Sequence, residues 1–205
     1  MLAAGLIFTS AASQAAISYH ITIGTASLAL APNVTSGPYS LDFQLNSGDT
    51  LSNNTATLSN FTFGGGSAFG AANSVGGASG DLGSFVSLTD TGAFNEFYQT
   101  FNAGSSIQFD LFLSQNVDGG PTPDVFTISL LNSSLSNITT NSTDGADTLL
   151  HLDINSSTAG STYGDMNFTA GTGSYSAVAA VPEPSAALLG VATCVVGVLR
   201  RRRSN

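Results

Sequence analysis

Two histidines and thirteen acids are the side chains of this chain best suited to acid–base work. His151 lies in Leu150-His151-Leu152-Asp153. On a strand, His151 and Asp153 point the same way, opposite Leu150 and Leu152. A Ser-His-Asp hydrolase would also need a serine carried to His151 and a pair of oxyanion donors. Serines are plentiful, but no Gly-x-Ser-x-Gly turn occurs, and a surface strand pair with a local hydrogen bond is the simpler reading. His20 is the other histidine. Paired carboxylates for glycoside hydrolysis must flank a sugar-sized cleft. Glu96 is the only glutamate ahead of Glu183, and the absence of tryptophan removes the usual sugar-stacking platform. The expectation is no catalytic residue and no enzyme.

Aspartates in turns suggest a different chemistry. Asp118-Gly119-Gly120-Pro121-Thr122-Pro123-Asp124 and Asp144-Gly145-Ala146-Asp147 put carboxylates and backbone carbonyls close together. Ca²⁺ takes six to eight such oxygens. Neither segment has EF-hand spacing, and Asp-Gly is in itself a favourable turn. Asp118, Asp124, Asp144 and Asp147 are therefore the candidate Ca²⁺ ligands, and no other cofactor is expected. The glycine-rich stretch 64–83 lacks a Gly-Lys-Ser/Thr and is expected to be a flexible loop rather than a phosphate cradle.

All four basic side chains, Arg200, Arg201, Arg202 and Arg203, sit at the carboxyl end, and there is no lysine. Residues 1–199 thus carry thirteen acids and no Lys or Arg. Such a body is a poor partner for nucleic acid or anionic lipid. Only 8% of the residues are charged, against about 25% in an ordinary soluble domain, so solubility must come from Ser, Thr, Asn and Gly. The one cysteine, Cys194, lies in an apolar run from Ala186 to Leu199, so the body has no disulfide. That run, at about 1.5 Å per residue, is short for roughly 30 Å of hydrocarbon. Arginine favours the cytoplasmic side of a membrane and can snorkel to make up part of the length. Ahead of the run stand Pro182, Glu183 and Pro184, and the two prolines hold Glu183 in extended chain.

Pro182-Glu183-Pro184, an apolar run and an arginine cluster, in that order, resemble the PEP-CTERM sorting signal of Gram-negative bacteria that make extracellular polysaccharide. The resemblance covers residues 181–205. It implies recognition by an exosortase, a membrane-embedded transpeptidase-like protease, and cleavage near the motif. It also implies release to the outer surface or matrix. The body between the termini resembles the β-sandwich ectodomains of such exported proteins, for which no chemistry is implied.

The elements that would carry these residues read as follows. Residues 1–16 look like a signal peptide: Leu2 to Phe8 is apolar and Ser13-Gln14-Ala15 suits cleavage, although no basic residue precedes the apolar stretch. Residues 17–160 show period-two alternation between Gly, Asn, Ser, Pro and Asp punctuation. The clearest run places Ile107, Phe109, Leu111 and Leu113 on one face against Gln108, Asp110 and Phe112. Eight to ten such strands without an amphipathic helix predict an all-β, single β-sandwich of jelly-roll or Greek-key type, flanked by the signal segment and a C-terminal transmembrane helix. Residues 161–180 read as a flexible linker. The functional expectation is an exported surface or extracellular-matrix protein, processed by an exosortase and held in the membrane by its C-terminal helix before cleavage, with a structural or exopolysaccharide-associated role. A lectin-like carbohydrate-binding module is the alternative, with a hydrolase behind it.

Overall fold

A computed structural model of the chain describes residues 16–26, 28, 37–49, 51–117, 120–140, 142, 145–155, 167–168, 171–172 and 175–180. The expected signal segment up to residue 15, the sorting motif, the apolar run and the arginines lie outside the described residues.

The described chain is all-β, with two six-stranded antiparallel sheets and no α-helix. Alternation is the cause. In β2 (Tyr39–Asn46), Tyr39, Leu41, Phe43 and Leu45 turn inward; in β9 (Ser106–Ser114), Ile107, Phe109, Leu111 and Leu113 do so. The first sheet also holds β1 (Ala16–Gly24), β3 (Thr55–Thr62), β6 (Gly77–Gly80), β7 (Phe85–Thr89) and β14 (Tyr175–Ala180), in the order β14-β1-β9-β3-β7-β6. The second adds β4 (Ser67–Ala68), β5 (Asn73–Val75), β8 (Glu96–Asn102), β10 (Asp124–Leu131) and β11 (Leu150–Ile154), in the order β11-β10-β2-β8-β4, with β5 also paired to β8. A small hairpin of β12 (Asn167–Phe168) and β13 (Gly171–Thr172) stands apart. The winding is nested: β1 pairs β9, β2 pairs β8 and β3 pairs β7, with successive pairs in alternate sheets.

The two inner faces share one apolar core. Phe43 and Phe97 from the second sheet meet Phe61 and Phe109 from the first; Phe43 and Phe109 pack edge to face at 5.5 Å between ring centres. Phe61 reaches this cluster because β3 changes parity. Ala56 and Leu58 face inward at even positions, the register on β9 then shifts between Ser59 and Thr62, and Asn60 takes a left-handed φ of 59°. The bulge turns Phe61 and Phe63 inward, as the sequence pattern requires.

Residues 64–83 differ from the expected flexible loop. They lay β4 and β5 along β8 and then β6 along β7, crossing from one sheet to the other as a strap. Glycine is needed where the strap touches the sheets. Gly80 has φ of 120°, and a Cβ there would stand 2.2 Å from the Phe85 carbonyl oxygen. Gln99, buried on the inner face of β8, holds the strap. Its Nε2 donates to the Gly70 carbonyl (3.0 Å) and to Asp81 Oδ2 (2.9 Å), and its Oε1 accepts from the Leu82 amide (2.7 Å). Leu82 itself is wholly buried in the core. At the opposite side of the first sheet, residues 175–180, assigned to a linker by composition, pair with β1 from Ser18↔Ala180 to Ile23↔Tyr175.

Replacing Gln99 by leucine keeps the volume and removes three hydrogen bonds, leaving the buried Leu82 amide unpaired. A loss of about 2–4 kcal/mol in urea unfolding is expected, with protease cutting appearing first within 66–83. A variant as stable as the parent would show that the strap is not held through Gln99.

Candidate functional site

Asp118 and Asp144, together with Pro182, Glu183, Pro184, Arg200, Arg201, Arg202 and Arg203, lie outside the described residues. Of the candidate Ca²⁺ ligands, Asp124 and Asp147 are described, and they stand apart. Asp124 opens β10 opposite Ile154, whereas Asp147 precedes β11 near the other end of that ladder. Seven residues of extended chain separate those two levels, roughly 20 Å. Asp147 has φ of 55° and its Oδ1 accepts from the Thr140 amide at 3.0 Å, closing the turn between β10 and β11. Among the described residues no three of His, Cys, Asp or Glu gather as a metal cluster.

Asp124 is instead part of a buried polar node at one end of the sheets. Its Oδ1 accepts from the Gly48 amide (2.7 Å) and its Oδ2 from Asn54 Nδ2 (2.8 Å). Asn54, fully buried, also donates to the Asn116 carbonyl (2.9 Å), and its Oδ1 accepts from Ser114 Oγ and the Asn116 amide. Asp90, which follows β7, joins from the other side: its Oδ2 accepts from the amides of Asn54 (2.9 Å) and Asn53 (3.3 Å). Burial pushes the Asp90 carboxyl above its usual range; the two amides oppose this, and the Asp124 carboxyl beside it adds to the rise. Asp90 was invisible in the sequence, where it reads as one more turn aspartate. The Asn53-Asn54 pair, placed just ahead of a strand, was the only local sign of a polar node.

A second carboxylate pair sits on the outer face of the second sheet. Gln44 Nε2 bridges Asp42 Oδ2 (3.1 Å) and Glu96 Oε1 (3.2 Å). Alternation places Asp42 on the outward face, yet it is 1% exposed. Its Oδ1 and Ser40 Oγ are buried without a hydrogen-bond partner. Burial, then the Glu96 charge, push Asp42 up to about 7, against a smaller lowering by Gln44. Burial raises Glu96 as well.

The histidines behave as surface pairs. His151 Nε2 lies 3.2 Å from Asp153 Oδ1, with Leu150 and Leu152 buried beneath. His20 Nδ1 lies 2.7 Å from Asp110 Oδ1, and Asn60 Nδ2 donates to Asp110 Oδ2 at 2.8 Å. The Asn60 and His20 hydrogen bonds hold the Asp110 carboxyl below its usual range. This trio belongs to the outer face of the first sheet, an exposed surface of hydroxyl-bearing side chains. Ser18, Phe112, Thr57, Ser87 and Ser79 form one row across it. Phe112 and Phe85 stand on it half-exposed, at 50% and 53%.

Compared with known proteins, the chain matches no family model, no curated protein and no solved structure.

The raised Asp42 carboxyl fixes the sign of a pH effect. Below about pH 4 the group is protonated both folded and unfolded, and burial carries no charge penalty. Between about 4 and 7 the unfolded chain releases this proton and the folded chain keeps it, so stability falls as pH rises. Asp42→Asn should therefore stabilise the protein at pH 8, by roughly 4 kcal/mol at most, and have little effect at pH 4. Thermal unfolding of both forms across that range checks it; an equal effect at both ends would contradict the buried-acid assignment.

Proposed function

We propose that this chain is an exported surface or extracellular-matrix protein, sorted and processed by an exosortase at its C-terminal signal, with a structural or exopolysaccharide-associated role and no enzymatic activity. The observation that carries this reading is the order Pro182-Glu183-Pro184, apolar run, Arg200 to Arg203 at the end of an otherwise Lys- and Arg-free chain. Its destination on this reading is the cell envelope, outer surface or matrix, with the C-terminal helix held in the membrane until cleavage. We read the body as a jelly-roll sandwich, because its nested pairs alternate between sheets. A thick, disulfide-free sandwich with a hydroxyl- and amide-rich surface and an excess of negative charge suits contact with neutral polysaccharide and rejects polyanions.

A glycan-binding role is the second reading, favoured by Phe112 and Phe85 on the outer face of the first sheet. They lie two strands and two residues apart, roughly 12 Å between Cα atoms. Two apolar rings at that spacing on a hydroxyl-rich face fit a stretch of about two sugar rings.

Two measurements test these readings. Mass spectrometry of the mature protein should find a C-terminus near Glu183, with Arg200 to Arg203 removed; an intact arginine cluster on a cytosolic molecule would refute export and sorting together. For the second reading, binding to neutral exopolysaccharide should fall at least tenfold in Phe85→Ala/Phe112→Ala, whose exposed rings contribute little to the fold. Unchanged binding would remove that face from consideration.

A further inference from the structure

We propose that Asp90 and Asp124 form a divalent-cation site, filled by Ca²⁺ at neutral pH, that clamps one end of the two sheets. Three observations lead there. The two carboxylates come from different sheets and clasp the same residue, Asp90 through the Asn54 amide and Asp124 through the Asn54 side chain. Asp90 is 2% exposed, and its Oδ1 is buried without a hydrogen-bond partner although Oδ2 has two. A buried carboxylate oxygen in that position needs a proton or a metal ion. Third, residues 1–199 contain no Lys or Arg, and both histidines are paired elsewhere, His20 with Asp110 and His151 with Asp153. No cationic side chain of the body can neutralise this pair.

The chemistry of the donors selects the ion. The site offers hard oxygens only, which favours Ca²⁺ or Mg²⁺ over softer metals. Ca²⁺ tolerates irregular geometry and a mixed shell of carboxylate, amide and water oxygens, whereas Mg²⁺ demands a near-octahedral one. A cavity of about 250 Å³ opens beside Asp124, lined also by Asp49, Asn116 and Thr122. It leaves room beside Asp124 for the water oxygens that would complete the shell. Asp49 adds a further acid on that side, and its Oδ1 accepts from the Leu51 amide. The set keeps Asp124 from the sequence expectation and pairs it with Asp90, whereas the described Asp147 stands at the other end of the ladder.

The test uses the full chain at pH 7.5, unfolded by heat in millimolar Ca²⁺ or in a chelator. The melting temperature should be several degrees higher in Ca²⁺, with one ion bound per chain by calorimetry. Asp90→Asn keeps an acceptor for the Asn53 and Asn54 amides and removes one charge; its melting temperature should be the same in Ca²⁺ and chelator. Asp147→Asn should keep the full Ca²⁺ shift. If Asp90→Asn does not fold, Asp124→Asn takes its place and should equally lose the Ca²⁺ shift, and a wild type whose melting temperature ignores Ca²⁺ overturns the proposal without any variant. A wild type indifferent to Ca²⁺ but stabilised by acid would make the pair a shared-proton couple and overturn the proposal. A Ca²⁺ shift that survives Asp90→Asn or disappears in Asp147→Asn would overturn it too.

Discussion

Three buried side-chain amides hold the ends of this molecule. Asn54 ties the segments after β7 and β9 to the start of β10. Asn95 donates to the carbonyls of Leu45 and Gly92 and accepts from the Gly77 amide and Thr91 Oγ1, using all four of its hydrogen-bonding positions. Gln99 binds the strap. An amide carries donors and acceptors without charge, so it can satisfy loop carbonyls and amides in a buried place at no ionic desolvation cost. A chain whose body lacks Lys and Arg has no basic side chain to donate to those carbonyls. Between the amide nodes, the phenylalanine cluster of Phe43, Phe61, Phe97 and Phe109 does the hydrophobic work.

The same lack of cations shapes the electrostatics. At the half-buried Asp110, hydrogen bonds from Asn60 and His20 outweigh burial and lower the pKa. Where nothing positive accompanies the burial of an acid, its pKa rises, as at the buried Asp42 and Asp90 and the half-buried Glu96. Amide donors reach one oxygen of Asp42 and one of Asp90 and leave the other bare. The buried acids, rather than the histidines, are thus the groups whose protonation this fold perturbs most, Asp42 on the outer face of the second sheet and Asp90 after β7.

Much of the fold was legible in the sequence because a half-buried strand writes its burial as alternation. The inward sets of β2, β9 and β11 follow that pattern residue for residue. The strap was not legible: its strands are two to four residues long, rich in Gly and Ser, and defined by where they lie rather than by any apolar face. Tyr175–Ala180 likewise reads as linker until β1 offers it an edge. The polar nodes were hidden for a different reason. Asp90, Asp124 and Asn54 are separated by tens of residues, and only the antiparallel winding brings them to one end. Asp42 misled because alternation reports which face a side chain takes, not whether that face is covered.

The strap also bears on how the sheet edges avoid pairing with another chain. A sheet edge exposes unpaired backbone amides and carbonyls, and many proteins blunt it with lysine. This chain has none to use. On one side, both sheets end instead in very short strands, the glycine-bearing β6 on the first and β4 with β5 on the second. Left-handed glycines at 70, 76 and 80 break each piece before a long flat ladder can form. A strand of two to four residues offers a neighbouring molecule few hydrogen bonds in register, too few to offset the entropy of docking. Fixing that strap through Gln99 and the buried Leu82 therefore serves two ends at once: it closes the side of the core, and it keeps the terminal strands short and aligned in a chain with no lysine to guard them.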